Sequence, residues 1–441
     1  MDTEELHLPL SRTANERLHA LIPGGAHTYA KGDDQYPEDL APVISHGSGA
    51  HVWDIDGNRY IEYGSGLRSV SLGHAHPRVN EAVRRELDRG SNFVRPSIVE
   101  VEAAERFLAT VPTAEMVKFA KNGSDATTAA VRLARAATGR PRVAICADHP
   151  FFSVDDWFIG TTPMSAGIPS ETNELTVTFP YGDLAATEEL LTRYEGEVAC
   201  LILEPAAQCE PPPGYLAGLR DLADRHGCVL VFDEMITGLR WSEAGAQGLY
   251  GVVPDLSTFG KALGNGFAVS ALAGRRELME RGGLRHSGDR VFLLSTTHGA
   301  ETHSLAAAMA VLTTYAEEGI TARLHALGER LAAGVRAAAA DAGVGDHIVV
   351  RGRASNLVFA TLDEHGLPSQ EYRTLFLRRL LAGGVLAPSF VVSSALDDTD
   401  IDHTVEVVAQ ACAVYRKALD AADPTPWLVG RPVKPVFRRL A

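Results

Sequence analysis

Apolar positions along this chain follow two rhythms. After His76-Pro77, Val79, Val83 and Leu87 recur at helical spacing and predict a helix from there. Other stretches are nearly unbroken apolar runs: "RVAICAD" at 142–148, "VACLILEP" at 198–205 and "GCVLVFDE" at 227–234. Each stops at an acidic residue. Such runs suit parallel strands buried on both faces, which deliver polar groups at the carboxyl edge of the sheet. A further strand-like run, "MVKFA", leads through Asn122-Gly123-Ser124-Asp125 into a long Ala-rich helix. Helices alternating with buried strands predict an α/β fold with a mostly parallel central sheet.

The flanks read differently. A short helix is expected from Ser11 to about Leu21, closed by "PGG" and followed by irregular chain through "KGDDQYPEDL". "HVWDIDGNRYIEYG" alternates around Asp56-Gly57, a hairpin signal. A long helix should run from Ser304 through Tyr315, and beyond it strands are expected near "HIVVRG" and "NLVFATL" before a helical stretch ending near Ala422. The expected division is an N-terminal segment over 1–75, a large domain over 76–320, and a small C-terminal domain with an extended tail over 321–441. The two ends of the chain together make the smaller α+β domain.

Composition narrows the function classes. With 441 residues, 45% hydrophobic and 22% charged, the chain is of ordinary globular make-up. No apolar run approaches the roughly 20 residues needed to cross a bilayer, and the acidic start lacks the pattern of a secretion signal, so a cytoplasmic protein is expected. The five cysteines are scattered, suggesting neither a disulfide framework nor a zinc site. A net charge of −15 opposes a nucleic-acid partner. The basic cluster of the tail, with Arg431, Lys434, Arg438 and Arg439 among prolines, reads as an extended strap.

Candidate chemistry gathers at three places. Gly123 and Ser124 open the Ala-rich helix, where their N–H groups either form an anion cup or merely follow an ordinary cap. Asp233 and Glu204 each end a buried strand, able to meet a proton-bearing ring nitrogen or simply to cap a turn. Lys261 stands in the bare loop "STFGKALGNG". A phosphate loop would need Ser or Thr after the lysine and a glycine six before it, and both are missing. "HGSGAH" lacks the third glycine of a dinucleotide fingerprint. An amine, a strand-end aspartate and an anion cup together make the minimal set for pyridoxal phosphate. The pairs His74/His76 and His298/His303 have no acidic third ligand at useful spacing, so no metal is expected.

At these residues the chain resembles the class III, fold type I, pyridoxal-phosphate aminotransferases, and among them the glutamate-1-semialdehyde 2,1-aminomutase branch. The likeness lies in "DEMITGLRWSEAGAQGLYGVVPDLSTFGKALGNG" and extends through "PGGAHTYAKG", "DIDGNRYIEYGSG", "LGHAHPRV", "NGSDATTAAVRLARAATGR", "LILEPAA", "STTHGAETHSLAAAMAVL" and "GVLAPSFVVSSA". It implies that Lys261 forms the imine with the cofactor and that Asp233 pairs with the ring nitrogen. It further implies that Gly123 and Ser124 hold the phosphate, that Glu204 lies near the ring, and that Phe151 in "DHPFFSVDDW" stacks on it. Thr297 would complete the phosphate site of a neighbouring subunit in a homodimer. Small-molecule amino donors and carbonyl acceptors are the implied partners.

The chain also departs from that branch. Lys31 stands where the aminomutases carry a carboxylate-gripping arginine, Phe152 replaces a histidine, and "TTHGAETHS" replaces a Gly-Thr-x-Ser-Gly-Asn-Pro lid. Arg68 lies where relatives line the substrate pocket with small or aromatic residues, and is either a new anion grip or part of a structural ion pair. Arg240 reads as structural. The leading expectation is therefore a transaminase moving an amino group between an amino-acid donor and a keto or aldehyde acceptor. An intramolecular aminomutase is the alternative, and the intact Lys261 opposes a non-catalytic cofactor binder.

Overall fold

The computed structural model describes residues 6–149, 152–206 and 209–439. The chain forms two compact units: residues 67–70 and 77–321 make one, and residues 1–66, 71–76 and 322–441 the other.

The first of these is built on a seven-stranded sheet. Its strands are β1 (Met116–Ala120), β2 (Arg142–Cys146), β3 (Thr176–Phe179), β4 (Val198–Leu203), β5 (Val229–Asp233), β6 (Leu256–Phe259) and β7 (Ser270–Gly274). They lie in the order β1-β7-β6-β5-β4-β2-β3. Neighbours from β6 to β3 pair in parallel, whereas β7 runs antiparallel to both β1 and β6. The sheet is thus mostly parallel, as the acid-terminated apolar runs predict. Every residue of β4 and β5 is buried, because helices cover both faces.

On one face lies helix α1 (Gly123–Thr138). Its Ala126, Ala129, Ala130, Leu133 and Ala134 join Val143, Ile145, Ile202 and Val231 in one core cluster. The small alanine side chains let the helix approach the sheet closely. On the other face helix α2 (Tyr215–His226) places Leu219, Leu222 and Ala223 against Leu201, Leu203, Leu230 and Phe232. Each such buried leucine or phenylalanine is worth about 1.5–3 kcal/mol of transfer free energy. Helix α3 (Thr302–Glu318) is buried along most of its length.

In the second unit, strands Ile44–Ser48, His51–Asp54 and Arg59–Glu62 form an antiparallel meander, and Val385–Leu386 adds in parallel at its edge. The expected turn is there, with Gly57 at φ 92°. Asp56 also caps the helix Pro9–Leu21, accepting from Leu10 N, Ser11 N and Ser11 Oγ at 2.7, 2.9 and 2.6 Å. Strands Ile348–Arg351 and Val358–Thr361 pair antiparallel, and the helix Asp398–Ala421 closes the unit. The basic tail is a strap: Lys434 N donates to Asp34 O at 2.9 Å, Arg431 N to Glu38 at 2.6 Å, and Arg438 pairs with Asp34. Among the described residues no helix is long and apolar enough to cross a membrane.

Candidate active site

Three chain segments converge beyond the carboxyl ends of β1, β5 and β6. At the first, Asn122 caps α1: its Oδ1 accepts from Asp125 N at 3.0 Å while Asp125 Oδ2 accepts from Asn122 N at 3.2 Å. That reciprocal box leaves the N–H groups of Gly123 and Ser124 without an intrahelical acceptor, at the positive end of the helix dipole. Ser270 Oγ, on β7, fixes the cap by donating to Asn122 O at 2.6 Å. Ser124 Oγ accepts from Val154 N at 3.0 Å and keeps its own proton to give.

At the second, β5 delivers Asp233 into a site where it is only 2% exposed. Its Oδ1 accepts from Met235 N at 3.0 Å and from Thr258 Oγ1 at 3.1 Å. Thr258 is the register partner of Asp233 on β6, so parallel pairing itself sets this contact. At the third, β6 runs through Gly260 into Lys261, which adopts a left-handed φ of 46°. Met235 joins the three segments. Its Sδ lies 2.6 Å from where a Cβ on Gly260 would stand, and 3.2 Å from the same position on Gly123.

The electrostatics follow from depth. Burial pushes the Asp233 carboxyl up to about 6, against the pull of Lys261. Burial also raises Glu204, with the neighbouring charge of Asp233 adding to the effect. Lys261 moves down because its ammonium is desolvated, although Glu204 and Asp233 oppose the shift and Arg68 and Arg240 reinforce it. A lysine that sheds its proton more readily is more often the free amine that can act as a nucleophile or take up a proton.

A second tier of contacts holds this set. The fully buried Glu234 accepts from Ala246 N and Gln247 N, both at 2.8 Å, and from Thr237 Oγ1, and burial pushes it up to about 7. Glu204 N donates to His149 Nδ1 at 3.0 Å, which places the proton of the ring on Nε2. Burial pushes that imidazole down to about 4, so it stays neutral at physiological pH. Arg240, 0% exposed, donates from Nη2 to the carbonyl of Arg68 at 3.3 Å.

The sequence-derived candidates thus separate. Lys261, Asp233, Glu204 and Arg68 interact with one another electrostatically. Gly123 is tied to the same place through Met235 and carries Ser124 with it. Thr297 is exposed, with its carbonyl accepting from Asn92 Nδ2 at 3.1 Å. Lys31 is exposed at the end of a short turn, Tyr29–Lys31, in the other unit. Phe151 lies outside the described residues. Phe152 is a core side chain, 2% exposed and packed edge-on against Phe158 at 5.6 Å. His74 and His298 pair with Glu62 and Glu301 at 3.2 and 3.1 Å. Sequence reasoning missed Met235, Thr258, Ser270 and His149. Only the strand register could have indicated Thr258.

Comparison with known proteins gives a consistent result. A family model described as aminotransferase class-III matches residues 33–390. The FumI protein of Sphingopyxis sp. MTA144, solved in its "PLP internal aldimine form", is 25% identical, with a TM-score of 0.86 over 94% of this chain and 99% of that one. An omega-transaminase from Sphaerobacter thermophilus is 27% identical, with a TM-score of 0.83 over 92% and 98%. A glutamate-1-semialdehyde aminomutase from Pseudomonas aeruginosa is 23% identical, with a TM-score of 0.81 over 94% and 96%, a likeness of fold.

Proposed function

Because the chain belongs to the class III aminotransferases, enzymes of pyridoxal phosphate, we propose that Lys261, Asp233, Gly123 and Ser124 form its catalytic and cofactor-binding set. The donor set fits that group. A carboxylate as deep as Asp233 calls for a cationic partner, which a protonated ring nitrogen supplies, and two N–H groups at a helix start suit a phosphate. When bound, pyridoxal phosphate supplies an electron-withdrawing ring that carries the amino group from donor to acceptor.

The chain's own residues do the rest. Lys261 Nζ would hold the cofactor and, as a free amine, would take up and return a proton. Its desolvation keeps that amine available as a base. Asp233 holds the ring-nitrogen proton, with Thr258 and Met235 N fixing one oxygen so that the carboxylate does not turn. Glu204 borders the same space, and Phe151 is assigned the stacking position on the ring.

Arg68 and Lys31 are the proposed grips for an anionic group of the substrate. For Arg68, the supporting observation is a guanidinium sharing a buried electrostatic neighbourhood with Glu204 and Lys261. A homodimer is proposed in which Thr297 serves the neighbouring site. Its support is the exposure of Thr297 beside the stretch that carries Phe93 and Val94, apolar residues 52% and 101% exposed. The reaction is intermolecular, between an amino-acid donor and a keto or aldehyde acceptor. The aminomutase likeness, at 23% identity, speaks for fold alone.

The observation that carries this reading is a depressed lysine amine and a raised buried aspartate brought together at the sheet's carboxyl edge. Borohydride reduction of the protein with pyridoxal phosphate should leave a pyridoxyl adduct on the peptide containing Lys261. In a separate sample of unreduced holoenzyme, adding amino donors should bleach the cofactor colour and release keto acid. An unlabelled Lys261 peptide would overturn the assignment.

A further inference from the structure

Four consecutive residues, Ser65, Gly66, Leu67 and Arg68, have φ values of 45°, 55°, 58° and 73°. They make one turn of left-handed backbone. Only one of the four is glycine, and each of the other three sets its Cβ against the following carbonyl, so the turn does not persist unaided. It ends at Arg68.

The turn is held from both sides. At its start Ser65 Oγ donates to Val391 O at 3.1 Å and Gly66 N donates to Glu62 Oε1 at 3.3 Å. At its end the bond from Arg240 Nη2 to Arg68 O closes the last peptide. Arg240 is itself anchored in an unusual backbone: Leu239 before it has a left-handed φ of 67°, and Thr321 Oγ1 donates to the Leu239 carbonyl at 3.0 Å. A completely buried guanidinium aimed at the carbonyl of a strained residue does something a packed apolar side chain would not. It fixes the backbone from which the Arg68 side chain springs.

We propose that Arg240 is a positioning residue for Arg68, and that the pair makes the site selective for substrates bearing a carboxylate or comparable anion. This rests on the reading of Arg68 as an anion grip and adds the element that sets its aim. Arg240 does not touch the substrate. It acts by keeping the left-handed turn closed, so that Arg68 meets the anion without first being ordered.

The test uses the holoenzyme and glutarate, a dicarboxylate without an amine, titrated by calorimetry. Arg68→Gln should weaken glutarate binding about tenfold, and Arg240→Met should do the same although its side chain lies off the anion. The double variant should bind no more weakly than Arg68→Gln alone, because Arg240 works only through Arg68. Leu67→Gly, which removes one of the three steric objections to the turn, should restore part of the affinity in the Arg240→Met background. If Arg240→Met does not fold, Arg240→Lys serves instead: it keeps the charge, loses the planar fork, and should show the same weakening. Should wild type fail to bind glutarate, or Arg68→Gln bind it fully, the anion grip itself is wrong and this inference falls with it. Should Arg68→Gln weaken binding while the Arg240 variants leave it intact, or should the two losses multiply, the positioning role alone is overturned.

Discussion

The Sδ atom of Met235 lies 2.6 Å from the place where a Cβ on Gly260 would sit, and the next residue after that glycine is Lys261. Packing between the methionine just past β5 and a missing side chain therefore sets where the Lys261 side chain begins. Gly260→Ala should destabilise the protein by about 1–3 kcal/mol through overpacking. Removing the opposing sulfur with Met235→Ala should recover part of that loss, so the double variant should be less damaged than the two single losses added together. Urea unfolding of the four proteins measures this.

Asp233→Asn separates stability from activity. Burial raises the native pKa of this carboxyl to about 6, above its value in the unfolded chain. The native state therefore holds the proton more tightly, and its ionised form is penalised above about pH 6, with relief as pH falls through that value. Asparagine keeps an oxygen for Met235 N and Thr258, so the apoprotein should melt higher than wild type at pH 8, and the gain should shrink towards pH 4. Activity should fall about a hundred- to thousandfold. Equal loss of melting temperature at both pH values would contradict the account.

Glu301 stands just before α3 and pairs with Lys121, whose hydrogen bond holds its carboxyl below the usual range. The pair ties the segment behind Thr297 to the end of β1. Glu301→Gln should change overall stability by less than about 1 kcal/mol, since the pair is partly exposed. Cofactor affinity, measured by fluorescence titration of the apoprotein, should fall about two- to fivefold. The difference from wild type should fade at high salt.

Legibility in the sequence followed how local the cause was. Strands β2, β4 and β5 could be read because continuous apolar runs ending in acids have few other homes, and Asp56-Gly57 announced its own turn. The antiparallel β7 was not legible. "SALAG" is short, rich in small residues and without alternation, and its direction is fixed by partners some 150 and 12 positions away, Ala120 and Phe259. The candidate site divided in the same way. Lys261 among glycines and Asp233 at a strand end advertise themselves. The left-handed turn at Ser65–Arg68 offers one glycine as its only cue, and the depth of Arg240 depends on elements packed around it, which no local spacing encodes.

The reversed strand β7 carries a consequence for how the finished enzyme comes into being. Among the described residues it is the strand that lies between β1, which leads to the proposed anion cup, and β6, which leads to Lys261, and it is the last strand of that sheet to leave the ribosome. Until residue 274 has emerged and slotted between its two neighbours, Asn122 lacks the hydroxyl of Ser270 and β1 has no strand pairing it to the rest of the sheet. Vitamin capture is thus expected to be a late event in the life of the chain, denied to nascent or truncated forms.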